Sequence, residues 1–176
     1  MAGKTRRIAA ALLAAGTVTL TGCATVPGTG SADPTAVQAY ESTLASSRAE
    51  AAASAAKSAC ASWRTGYDTR FAATKAMADY TRTPGANWDG ITPTLDANIA
   101  AIATESGKLP GIITTADPNP NIRGLLVDYK TKLDAYGDGL KADRITRGTE
   151  DKTWAKAGPA EAALASSARA LRSACG

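Results

Sequence analysis

The side chains able to do chemistry in this 176-residue chain are a restricted set, because it contains no histidine and three cysteines. The commonest general base and the commonest metal ligand are therefore missing. A catalytic centre would have to be assembled from carboxylates, hydroxyls, lysine or cysteine. Ser54 and Lys57 stand in an S-x-x-K arrangement, which on a helix places an amine one turn from a hydroxyl and could serve a serine acyltransferase or hydrolase. The Ala/Ser/Lys-rich stretch around them generates that spacing from composition, and no Lys-Thr-Gly follows. Asp134 and Asp138 would share a helix face, as a divalent metal or an acid/base pair requires. Their neighbours Asp128, Lys130, Lys132 and Lys141 fall at ion-pair spacings and describe a solvated charged surface instead. Glu150 and Asp151 fit the acidic first turn of a following helical segment. No catalytic constellation emerges, so the chain reads as a non-enzyme with no cofactor and no metal site.

Binding is better represented than catalysis. Trp63, Arg64, Tyr67, Arg70 and Phe71 lie within nine residues. On a helix the three aromatics form one stripe flanked by the two arginines. One reading makes the aromatics core and the arginine stems its cover. The other makes the cluster an interface hot spot or a pocket for an anion. Trp88 and Trp154 fall in expected loops, where they either cap the ends of the fold or mark a binding surface. The candidate surface is therefore Trp63, Arg64, Tyr67, Arg70, Trp88 and Trp154.

The first 23 residues carry a different signal. Lys4, Arg6 and Arg7 precede an apolar run over residues 8–20, which closes on Leu20-Thr21-Gly22-Cys23. That run is shorter than the roughly 20 apolar residues of a membrane-spanning helix and has the layout of a targeting segment. Leu20-Thr21-Gly22-Cys23 resembles the lipobox of bacterial lipoproteins at all four positions. The resemblance covers only the first 23 residues. It implies that residues 1–22 are a cleaved signal peptide and that Cys23 is diacylated, with palmitate-type chains, as the new N-terminus. It also implies export and lipid anchoring to the outer face of the cytoplasmic membrane.

Residues 1–22 hold three of the 20 basic residues and none of the 16 acidic ones, so 17 basic and 16 acidic residues remain beyond them. The isoelectric point near 9.0 thus belongs largely to the signal, and no nucleic-acid partner is expected. With Cys23 committed to lipid, Cys60 and Cys175 are left in an oxidising compartment. They form either a disulfide or two buried free thiols. A bridge would close a loop of over a hundred residues, worth roughly 4–5 kcal/mol on chain entropy, and would hold down a chain end that otherwise frays.

Residues 23–33 are rich in Pro, Gly, Ser and Thr, the composition of a flexible tether. Residues 34–176 form the folded domain. Asp33-Pro34 signals a helix start, and steps of three and four from Val37 to Met77 extend it to about residue 81. It is either one long helix or one broken near Gly66. Thr92-Pro93 predicts a second start, with Leu95, Ile99 and Ile102 on one face and Gly107 as the stop. Residues 109–121 are expected to be irregular. Asn119-Pro120 opens a third helix, striped by Ile122, Leu126, Tyr129, Leu133, Tyr136 and Leu140 and closed by Gly148. Gly137 and Gly139 weaken its interior and suggest close helix contact. Pro159 begins the last helix, with Leu164, Ser167, Leu171 and Ala174 on one side. No segment alternates with period two. The expected fold is all-α, an antiparallel bundle of about four helices with a long first helix and a disulfide staple.

The function that follows is a membrane-anchored, non-catalytic exported lipoprotein whose helical module binds another macromolecule of the envelope, a protein partner first among them. Two alternatives stand beside it. One is a carrier or sensor of a small amphiphilic ligand held between helices. The other is an exclusion or immunity lipoprotein of the kind that some temperate phages express on their hosts.

Overall fold

A computed structural model describes residues 33–147 and 154–176. The signal segment, Cys23, most of the tether, Gly148 and the Glu150-Asp151 pair lie outside the described residues. The described residues form four helices: α1 (Pro34–Thr81), α2 (Trp88–Thr115), α3 (Pro120–Thr146) and α4 (Ala157–Cys175).

Local sequence sets each start. Asp33 accepts a hydrogen bond from the Thr35 N–H at 2.9 Å, with Pro34 in the first turn, where its missing N–H costs nothing. From there α1 runs unbroken through Gly66 for 48 residues. The second helix differs from expectation at both ends. Asn87 caps it by accepting from the Gly90 N–H at 2.9 Å, so α2 starts before Thr92 and carries Pro93 inside it. Gly107 does not stop it, and the stretch expected to be irregular continues as helix through Pro110 to Thr115. Leu109, fully buried on that continuation, and Ile112 and Ile113, packed against the core, supply the burial that outweighs the cost of glycine and proline in a helix. Asn119 caps α3 through the Ile122 N–H. Arg147, in the left-handed region with φ of 51°, ends it.

The fourth helix begins at Ala157, two residues before Pro159, and its cap comes from another helix. Asp143 of α3 is buried and accepts from the backbone N–H groups of Lys156 and Ala157 at 3.1 and 2.8 Å. This satisfies donors that a helix N-terminus leaves open. Gly139 makes the approach possible, since a Cβ there would lie 2.9 Å from the Ala157 Cα. Gly137 meets Ile102 of α2 in the same way, at 3.0 Å.

Pairings between helices consecutive in sequence run antiparallel. Arg70 meets Glu105 and Thr74 meets Asn98 between α1 and α2. Glu105 meets Tyr129 and Asp96 meets Arg144 between α2 and α3. Asp143 meets Ala157 and Asp128 meets Ser167 between α3 and α4. The Cys60–Cys175 disulfide joins α1 to α4, spanning 115 residues of sequence. The expected stripe of α3 is buried from Ile122 to Leu140, while Ile145 is exposed. On α4, Leu164, Ser167 and Leu171 are buried as expected, and Ala168 takes the place expected for Ala174, which is exposed.

One feature departs from a compact bundle. In α1 the first buried side chain is Ala59, so residues 34–58 carry no buried position. Ala56 still packs against the core, so residues 34–55, about 33 Å of helix at 1.5 Å per residue, run beyond the Cys60–Cys175 bridge where α4 finishes. Val37 and Tyr40 stand exposed on it.

Candidate functional site

The six residues singled out from sequence separate into three places. Trp63, Tyr67 and Arg70 are buried. Trp63 packs edge-on against Tyr129 with centroids 5.6 Å apart, and the Arg70 and Arg172 guanidinium groups lie 5.0 and 5.3 Å from the centroid of the Tyr67 ring. These three belong to the interior. Phe71, which extends the same stripe, is 47% exposed and stacks on Tyr67. Arg64 is exposed beside the disulfide, where it donates to the Gly176 carbonyl at 3.2 Å. Trp88 and Trp154 come together at the far end, with ring centroids 5.2 Å apart and planes tilted by 50°.

Arg70 is buried as part of a polar network that sequence reading did not anticipate. Its Nε donates to Glu105 at 3.0 Å and its Nη2 to the Tyr129 hydroxyl at 2.9 Å, while Tyr129 donates to Glu105 at 2.8 Å. Thr74 donates to Asn98 at 2.9 Å, and Asn98 reaches the Tyr136 hydroxyl at 3.4 Å. Burial works against the Arg70 charge, but Tyr129 and Glu105 more than offset it and hold its pKa above the ordinary arginine value. Burial, reinforced by Glu105, pushes the Tyr129 hydroxyl well above the usual tyrosine range despite the pull of Arg70. Burial likewise pushes Tyr136 up to about 12. The groups of this network bond to one another and are largely shielded from solvent, so its part is to fix helix register. The signal for it was present: Ile91, Leu95, Asn98, Ile102, Glu105 and Leu109 are the buried residues of α2, a strict four-three pattern in which two polar residues occupy core positions. Trp63 Nε1, by contrast, is buried with no hydrogen-bond partner among the described residues.

The carboxylates that could have held a metal are engaged elsewhere. Asp134 accepts from Lys130 and Ser106, and Asp138 from Lys141. Lys57 lies near the disulfide, where it lines a shallow cleft with Arg64, Ala61 and Ala174.

The end of the bundle opposite the projecting half of α1 holds a cleft of about 410 Å³, lined by Tyr80, Thr81, Ala86, Asn87, Trp88, Ile91 and Trp154. Three aromatic side chains from three chain segments converge there, each half-buried. The Tyr80 ring closes over Gly90, where a Cβ would collide with its hydroxyl. A second cleft shares Trp88 and is lined by Asp89, Thr92, Arg144 and Arg147. Its charges are matched, Arg144 with Asp96 through two bonds of 2.6 and 2.9 Å and Arg147 with Asp89. This end is the candidate binding site: an aromatic hollow with an uncharged lining beside a neutralised charged rim. No described helix is long and apolar enough to cross a membrane. No family model matches the chain, and no curated protein and no solved structure matches it.

Proposed function

We propose that this protein is an exported lipoprotein, anchored through Cys23, whose helical domain binds another macromolecule of the cell envelope without catalysis. The observation that carries the reading is the projecting half of α1. A helix held by tertiary packing normally buries an apolar face, yet residues 34–55 hold no fully buried position, and only Leu44, Ala52 and Ala55 among them are half-buried. The segment is rich in Ala and Ser, whose small side chains let a second helix approach closely, and Val37, Tyr40 and Leu44 offer an apolar stripe at its tip. A protein helix fits such a surface better than a polyanion, because Glu41, Glu50, Arg48 and Lys57 leave it without net charge.

Two measurements test this. The intact mass of the membrane-extracted protein should lack residues 1–22 and carry acyl chains on Cys23, and Cys23→Ser should release it from the membrane. A photo-crosslinking residue placed at Tyr40 should give one discrete adduct in native membranes, while the same residue at the exposed Thr131 of α3 should not. An unacylated mass would overturn the anchoring, and equal labelling from both positions would overturn the docking surface.

A further inference from the structure

We infer that the cleft formed by Tyr80, Trp88 and Trp154 is a binding site for a neutral pyranose ring, the unit of an uncharged glycan. The inference stands apart from the docking surface on α1, which lies at the other end of the bundle.

Three observations lead to it. First, the two indoles meet at a 50° tilt with centroids 5.2 Å apart, so they form the two sides of a corner rather than opposite walls of a cage. A corner presents flat π faces to a ligand that is itself flat on one side. A pyranose has such a face, made of axial C–H groups, and a spherical quaternary ammonium group needs an enclosing cage instead. Second, the Tyr80 hydroxyl and the indole N–H groups of Trp88 and Trp154 make no hydrogen bond among the described residues, whereas Asn87 and Thr81, which share the lining, are spent on Gly90, Gly85 and Ala78. A purely apolar ligand would cover three donors without pairing them, which is costly. A sugar surrounds its apolar face with hydroxyl oxygens that accept from them. Third, no charged residue lines the cleft among the described residues, and the neighbouring arginines are matched by Asp89 and Asp96, so the described lining favours neither an anion nor a cation. A ligand with an apolar face, a ring of acceptors and no charge is what remains.

The site needs little rearrangement to work. Asn87 fixes the first turn of α2 and hence Trp88, and Gly90 admits the Tyr80 ring beneath it. The volume of about 410 Å³ falls in the range of small-ligand pockets, about 300–1,000 Å³.

The test is saturation-transfer NMR on the full chain, with a mixture of the neutral methyl pyranosides of glucose, galactose and mannose, and with methyl glucuronide and tetramethylammonium as separate probes. Transfer to the C–H face of at least one neutral pyranoside is expected, together with a change in tryptophan emission. Trp154→Ala should weaken binding about tenfold or more, as truncation of an aromatic anchor does, and Trp154→Phe should restore part of it, while the helical circular dichroism of both variants stays unchanged. No transfer to any neutral pyranoside overturns the inference. So does equal binding by Trp154→Ala, or a preference for glucuronide or tetramethylammonium.

Discussion

The Arg70 guanidinium of α1 and the Glu105 carboxylate of α2 meet at 3.0 Å with side chains only 5% and 3% exposed. Both charges have left water, and Tyr129 completes a triangle by bonding to each of them. Such a pair is weak support for stability in itself, but removing one member strands the other. Arg70→Met should therefore cost about 3–5 kcal/mol, read as a lower urea midpoint at unchanged slope. Adding Glu105→Leu to Arg70→Met should recover a large part of that loss. If the double variant is as unstable as the sum of the singles, the two groups do not act as a pair.

The buried tyrosines make the fold sensitive to alkali. The Tyr136 hydroxyl ionises near 10 in the unfolded chain and at about 12 in the folded one. Below pH 10 the group is protonated in both states and changes nothing. Between pH 10 and about 12 the unfolded state loses its proton first, so stability falls as pH rises, by up to about 1.4 kcal/mol per pH unit from this one group. Tyr129 acts in the same direction. A pH series of urea melts should show the decline, and Tyr136→Phe should make it shallower. An unchanged slope in that variant would mean that Tyr136 titrates alike in both states.

Reduction of Cys60–Cys175 should lower stability by about 4–5 kcal/mol through the entropy returned to the unfolded chain, given the 115 residues it spans. The signature to look for is uneven. α4 is held to α1 by few other contacts, with Arg172 over the Tyr67 ring among them, so hydrogen exchange on reduction should rise first at the C-terminal turn of α4. Protection at Leu126 and Leu133 should persist longest.

Glycine replacements should split by what surrounds them. Gly139→Ala places a Cβ 2.9 Å from the Ala157 backbone, where a helix must move rather than a side chain, so stability should fall and the Asp143 cap on α4 should loosen. Gly124→Ala sits on the exposed face of α3 with nothing within 4 Å and should stabilise by about 0.5–1 kcal/mol. Thermal melts of the two variants moving in the same direction would contradict this division.

How far the sequence could be read depended on which force decided each element. The stripe from Ile122 to Leu140 was legible because apolar residues recur at helical spacing and all of them are buried. Asp33 and Asn119 were legible as caps because a short polar side chain beside proline has a local meaning that packing does not alter. The second helix was misjudged at both ends for the opposite reason. Pro93 is a local start signal that the Asn87 cap pre-empts, and Gly107 and Pro110 are local stop signals that the burial of Leu109 and Ala116 against distant residues overrode. Its expected face holds at Leu95 and Ile102, and Ile99 packs against the core, but the fully buried residue between them is the polar Asn98. Asn98 and Glu105 could be recognised as interior only once Thr74, Arg70 and Tyr129 were known to meet them. The pairing of Trp88 with Trp154 joins residues 66 positions apart across two connections, a proximity that no pattern within either segment encodes.

The unbroken course of α1 has a consequence for distance. Forty-eight residues of helix measure about 72 Å at 1.5 Å each, and the cleft at Trp88 lies beside the last turn of that rod. Whatever holds the chain at Pro34 is thereby kept about 72 Å from whatever sits against the tryptophans, a spacing set by covalent geometry and hydrogen bonds rather than by a slack linker. The protein is in this sense a ruler, and its two ends can be occupied together without either occupant touching the other.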